Sequence, residues 1–219
     1  MGLIAKDSGG GGNFTPVAPG MHLARCYRIV DMGTQKTDFQ GQVKHLQKVM
    51  LQFEVHGEDE DGRPLVTAKG EPMSISKNFT LSLAEKATLR LDLQAWRGRP
   101  FTADELRGFE LKAVLGVWAM ITAARALGKN GKEFTNIVSI NPVPAAIKRA
   151  GLPEGFNKLG SFDIDNPNME LFETFGNGLR EKITSSPEWH ARNVVQEQPV
   201  RKPTNTGSGF DDMDSDIPF

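Results

Sequence analysis

Apolar residues recur every second position in the first half of the chain, and every three to four positions in one segment after it. From Met21 to Asp31 the chain carries Leu23, Cys26, Tyr27, Ile29 and Val30, and from Val43 to Val55 it places Val49, Leu51, Phe53 and Val55 on one side. Both stretches have the period of a strand. The other side of the second stretch holds Lys44, Lys48 and Gln52 with Leu46 and Met50 between them, a mixture that contact with water alone does not require. After an acidic turn ending in Asp61-Gly62, residues 72–81 predict a third strand. Ser82 with Glu85 three residues on reads as a capping box opening a helix over 83–96, whose apolar positions are Leu83, Ala87, Leu91 and Leu93 and which Gly98 and Pro100 end. Thr102 and Glu105 repeat the capping signature for a second, short helix. The run 111–122, broken by Gly116, predicts a bent fourth strand; a hairpin over Gly128–Gly131 leads to a fifth over 133–140.

Three strands, a helical insertion and two more strands, with no strand-helix alternation, exclude a parallel α/β sheet. The order is that of a mainly β, five-stranded OB-fold barrel with its helical insertion between strands 3 and 4. A generic small barrel or a split α+β sheet gives a similar pattern. The reading divides the chain into a flexible N-terminal arm over 1–20, the barrel over 21–142, a helical and loop extension over 143–190, a flexible linker over 191–209 and an acidic segment over 210–219. The extension contains helices predicted over 145–150 and 169–183, and is expected to pack on the barrel or on a second copy. Gly9–Gly12, Pro16 and Pro19 give the arm its character; Pro199, Pro203, Gly207 and Gly209 give the linker its own.

Charge sharpens this division. The chain of 219 residues has 26 basic and 27 acidic side chains, but residues 1–142 hold 18 basic against 15 acidic while 211–219 hold four aspartates and no base. The body is therefore mildly basic and the end acidic. The longest uncharged apolar run, 113–124, is too short to cross a bilayer, which needs about 20 residues. Cys26 is the only cysteine, which excludes an internal disulfide and a thiolate metal cluster and fits a reducing cytoplasm. Enzyme chemistry has little to stand on. The four histidines are scattered, no acid and base pair at a useful spacing, and the 57–68 stretch has Gly57 and Ala68 where a calcium loop needs its first and last ligands. No catalytic residue, metal or cofactor is expected.

The acidic end has a chemistry of its own. Asp211, Asp212, Asp214 and Asp216 repel one another and precede Ile217, Pro218 and Phe219, so the segment is expected to stay disordered and exposed. Its apolar last three residues suit a basic-rimmed apolar pocket on a partner. A plain acidic, solubilising tail would leave those three unexplained. Asp214-Ser215-Asp216-Ile217-Pro218-Phe219 resembles the tip of bacterial single-stranded DNA-binding proteins, which end in Asp-Asp-Asp-Ile-Pro-Phe; Ser215 is the one departure. The resemblance covers this tip and the order of barrel, linker and tip. The longer helical insertion and the 143–190 region make the chain most similar to a divergent, phage-encoded member of that family. It implies a non-enzymatic protein that coats single-stranded DNA in replication, recombination or repair and recruits the enzymes of those processes through the tip, in the cytoplasm of a bacterial or phage-infected bacterial cell. A homo-oligomer is compatible with this, and a membrane partner is not expected. A phage strand-annealing or recombination accessory protein, and a protein-binding adaptor, are the alternatives.

Binding single strands without regard to sequence takes cations for phosphates and ring faces for bases. The barrel offers Arg25 and Arg28 on either side of Tyr27, Lys36 in the first loop, Lys44 and Lys48 on one face of the second strand, and Lys77 beside Phe79. Arg125, Lys129 and Lys132 frame the last hairpin beside Phe134, and Trp118 lies on the fourth strand opposite its apolar neighbours. Each has a plainer role available: rings such as Phe79 and Trp118 fill β cores, and lysines solubilise strand edges.

Overall fold

The computed structural model describes residues 16–39, 41–128, 131 and 133–196. Most of the N-terminal arm, the linker beyond residue 196 and the whole acidic tip lie outside the described residues, as do Lys129 and Lys132.

Six strands form one mainly antiparallel sheet: β1 (Gly20–Phe39), β2 (Gln42–His56), β3 (Ser74–Thr80), β4 (Trp118–Leu127), β5 (Glu133–Asn141) and β6 (Gly160–Phe162). The order along the sheet is β3-β2-β1-β4-β5, with β6 added beside β1 in parallel. The sheet is not closed: no ladder joins β3 to β5 among the described residues, although the Lys77 Nζ on β3 donates to the Val138 carbonyl on β5 at 3.4 Å. The sixth strand is new, since its three residues are too few to carry a period and it gains its bonds from β1. Two irregularities, at Tyr27 and Met32, bend β1. This lets one strand pair with β4 through Gly20–Arg25, with β6 through Arg28–Val30, and with β2 along most of its length.

One core lies on one side of the sheet. Val49, Leu51, Phe53 and Val55, the side of β2 expected to face inward, are buried there against Ile75, Ile121 and Ile137. Helix α1 (Thr88–Arg97) closes this core with Leu89, Leu93 and Trp96, and Leu91, read as an apolar contact, is instead 53% exposed. The helix begins later than its sequence signature. Ser82 Oγ accepts from the Ala84 N–H in a local turn, and Ala87 occupies the cap position without a side-chain bond. Gly98, in the left-handed conformation at φ 68°, ends it as expected. Helix α2 (Ala103–Arg107) does carry the full capping box between Thr102 and Glu105. The predicted fourth strand starts only at Trp118, because Leu111–Val114 forms a 3-10 turn and Gly116 turns the chain at φ 83°.

A second core lies on the other side of β1 and β2. Val30, Met32 and Met50 meet Phe162, Ile164, Phe172, Phe175, Ile183 and Trp189 from the C-terminal third. That contact accounts for Met50 among the polar residues of its face. The C-terminal third holds α3 (Ala145–Ala150), α4 (Met169–Glu173), α5 (Asn177–Thr184) and α6 (Pro187–Gln196). The single helix predicted over 169–183 is two, parted at Gly176, and α6 occupies the first residues read as linker. No helix among the described residues is long and apolar enough to cross a membrane.

Candidate nucleic-acid interface

The outward face of β2 is where the predicted cations stay free of carboxylates. Lys44 and Lys48 share that face four residues apart, as the period of a strand requires. Lys44 is exposed opposite Thr37, and Lys48 lies opposite Thr80, to whose Oγ1 its ammonium donates at 2.8 Å. Lys36 is exposed too, but it pairs in register with His45 and so lies on the opposite face of the β1–β2 arm from Lys44.

Next to Lys48 a cleft of about 560 Å³ runs between the end of β3 and the start of α1, lined by Lys48, Asn78, Thr80, Ser82, Lys86 and Thr88 among others. Two ammonium groups, three hydroxyls and an amide face it, and no carboxylate lines it. Residues 82–87 form this wall because they turn before entering the helix, which carries Lys86 across to the strands. Nothing in the spacing of Lys86 or Asn78 announced this: the apparent capping box at Ser82 assigned the loop to the helix. A second cleft, of about 300 Å³, lies between β2, β3 and β5 and is lined by Gln52, Ser74, Ser76, Phe134 and Thr135, with Pro16 and Val17. Phe134 is 42% exposed and offers the cleft a ring.

The other predicted residues are engaged elsewhere. Tyr27 and Phe79, at 4% and 2% exposure, fill the interior and present no free ring face to a base. Tyr27 sits at a bulge in β1 and is buried on the side of the sheet that carries Ser74 and Arg28, not with Cys26 in the first core; its hydroxyl meets Ser74 Oγ at 3.2 Å, and burial pushes its pKa up. Arg28 is packed between the rings of Tyr27 and Phe175. Lys77 pairs with Asp92 at 2.6 Å and Arg125 with Glu133 at 2.9 Å. Trp118 is half-buried, its ring edge-on to that of His56 at 4.9 Å. Cys26 is buried and its thiol is pushed up to about 12 by desolvation, so it is inert near neutral pH.

Arg25 takes part in a cluster that sequence reasoning missed. Its Nε lies 2.9 Å from Glu54 Oε1, and Glu54 is wholly buried on β2. The same carboxylate accepts from the backbone N–H groups of Phe156 and Asn157 and from the Asn157 amide. Burial alone would raise the Glu54 pKa, but these bonds and the one from His56 outweigh it, and the net shift is downward. Asp31 is held the other way: burial first, then Asp163, Glu188 and Asp165 around it, raise its pKa. Among the described residues no three histidine, cysteine or acidic side chains gather as metal ligands would. A comparison of the chain with protein-family models and with curated proteins finds no match in either.

Proposed function

We propose that this chain is a non-enzymatic single-stranded DNA-binding protein that holds the sugar-phosphate backbone in the cleft between the end of β3 and the start of α1, beside Lys48, and recruits replication, recombination or repair enzymes through residues 211–219. The observation that carries the reading is the carboxylate-free cleft lined by Lys48 and Lys86 together with three hydroxyls and an amide. A groove of cations and neutral donors, tolerant of sequence, is what a phosphate chain requires. Two further features support it. The strand order becomes cyclic, as in an OB-type barrel, once the facing edges of β3 and β5 are taken as neighbours, and the Lys77–Val138 bond spans those edges. The similarity of Asp214–Phe219 to the family tip adds the recruiting segment.

Titration of the protein with oligo-dT over a range of salt tests this. Affinity is expected to fall with salt at a log-log slope of about −0.7 per phosphate neutralised, and Lys48→Ala or Lys86→Ala is expected to make the slope shallower by about 0.7 each. Binding that is absent in dilute buffer, or indifferent to salt, overturns the proposal.

A further inference from the structure

The loop over 151–159 crosses the outer side of the sheet near the start of β1, and its hold on the sheet runs through one carboxylate. Glu54 Oε1 accepts from the Phe156 backbone N–H at 3.0 Å, and Oε2 accepts from the Asn157 backbone N–H at 2.6 Å and from its side-chain amide at 2.7 Å. Arg25 completes the clamp by donating to the Asn157 carbonyl at 2.5 Å. Gly155 packs so closely on Arg25 that a Cβ there would fall 1.6 Å from Nη1, so the clamp needs glycine at this position.

Burying a carboxylate is costly unless its lone pairs are met. Here they are met by a loop that buries little of itself, since Leu152, Phe156 and Leu159 all remain exposed. What the clamp fixes is the position of Phe156, pinned at its backbone while the residue is 58% exposed. The sequence over 145–160 holds three exposed cations, Lys148, Arg149 and Lys158, against the single acid Glu154. Trp118 lies just across Arg25 in the β1–β4 register. A solvent-facing ring whose backbone is held in place can receive an unstacked base with less ordering entropy left to lose.

We infer that Phe156 is a stacking platform for an unpaired nucleobase and that Glu54 is its positioning residue. The inference rests on the proposed function and adds to the Lys48 cleft a second contact, on the loop that Glu54 holds.

The test is oligo-dT titration of the full chain. Phe156→Ala and Phe156→Leu, the second keeping apolar bulk without a ring, are each expected to weaken binding about 5- to 150-fold, the range for one lost stack. The salt slope should not change, because a phenyl ring neutralises no phosphate. Phe156→Trp is expected to bind like the unmodified chain, and the added indole emission should quench on saturation. In the Glu54→Gln background that quenching should fall away while the salt slope persists, which a purely structural role for Glu54 would not produce. Unchanged affinity in both Phe156 variants, or indole emission indifferent to oligonucleotide, overturns this inference while leaving the proposed function standing. Failure of the unmodified chain to bind overturns both.

Discussion

Glu54 sits where β2 would be expected to place another half-polar residue facing water, and instead it is the most deeply buried acid among the described residues. Its environment favours the charged form, so removing it leaves Arg25 without its counter-charge and two backbone N–H groups without their acceptor. Glu54→Ala is expected to cost about 3–5 kcal/mol in urea unfolding, as for other half-removed buried pairs. Gly155→Ala should cost about 1–3 kcal/mol by forcing Arg25 aside. Asp31 gives the opposite sign. Its folded-state pKa is raised, so its charge opposes folding above that value and protonation relieves the strain. Asp31→Asn, which retains an oxygen to accept from Gly33 N–H, should therefore raise the melting temperature at pH 7, with the gain vanishing as pH falls through the carboxylate range. At this scale the sequence misled in a definite way. Arg25, Tyr27 and Arg28 read as a cation-ring group open to a strand, but alternation cannot register the bulge at Tyr27, and the ring there is 4% exposed with Arg28 packed on it.

Among the elements, α1 shows how a local signature and the observed helix can part. Ser82 and Glu85 satisfy the capping pattern, yet the helix starts at Thr88 behind an uncapped Ala87 whose φ of −71° and ψ of 128° already suit a capping residue. Ala87→Ser is expected to stabilise the protein by about 1 kcal/mol in thermal or denaturant unfolding. Ala87→Asp should stabilise it similarly, but Ala87 lines the Lys48–Lys86 cleft, so the same substitution should weaken oligo-dT binding at low salt. A rise in stability with undiminished affinity would remove the cleft from the phosphate path. On β1, Gly33 has φ 66° and a Cβ there would come within 2.6 Å of Ser186 Cβ and 2.8 Å of Ile164 Cδ1, so this position admits the close approach of the α5–α6 turn to the strand.

For the molecule as a whole, two cores share β1 and β2. The second depends on Trp189, Phe172 and Phe162, whose rings stack on one another, and Trp189→Ala is expected to cost about 3–5 kcal/mol and to loosen the C-terminal third. Acid should unfold the protein through its depressed carboxylates. Glu54, Glu188 and Glu105 all have lowered pKa values, Glu105 to about 2 through its bonds with Arg99, Thr102 and Arg97. Groups of this kind stabilise the fold above the ordinary value of 4.5 and lose that contribution as pH falls through the folded-state value. Stability measured by denaturant should accordingly decline from about pH 4.5 toward pH 2, and a flat profile there would contradict the bonding described.

Local pattern alone determined five of the six strands, the inward side of β2, the cap of α2 and the stop of α1 at Gly98, because each is written in period or in backbone freedom over a few residues. It also supplied the charge division and the acidic segment that resembles a known tip. Tertiary structure decided what depends on residues distant in sequence. The three-residue β6 is a strand only because β1 offers bonds, Met50 is buried only because Trp189 and its neighbours cover that face, and Lys86 joins Lys48 only because the loop before α1 folds onto β3. The placement of Glu54 has the same origin: a carboxylate enters the interior when partners a hundred residues away satisfy its oxygens, and no local pattern encodes partners at that distance.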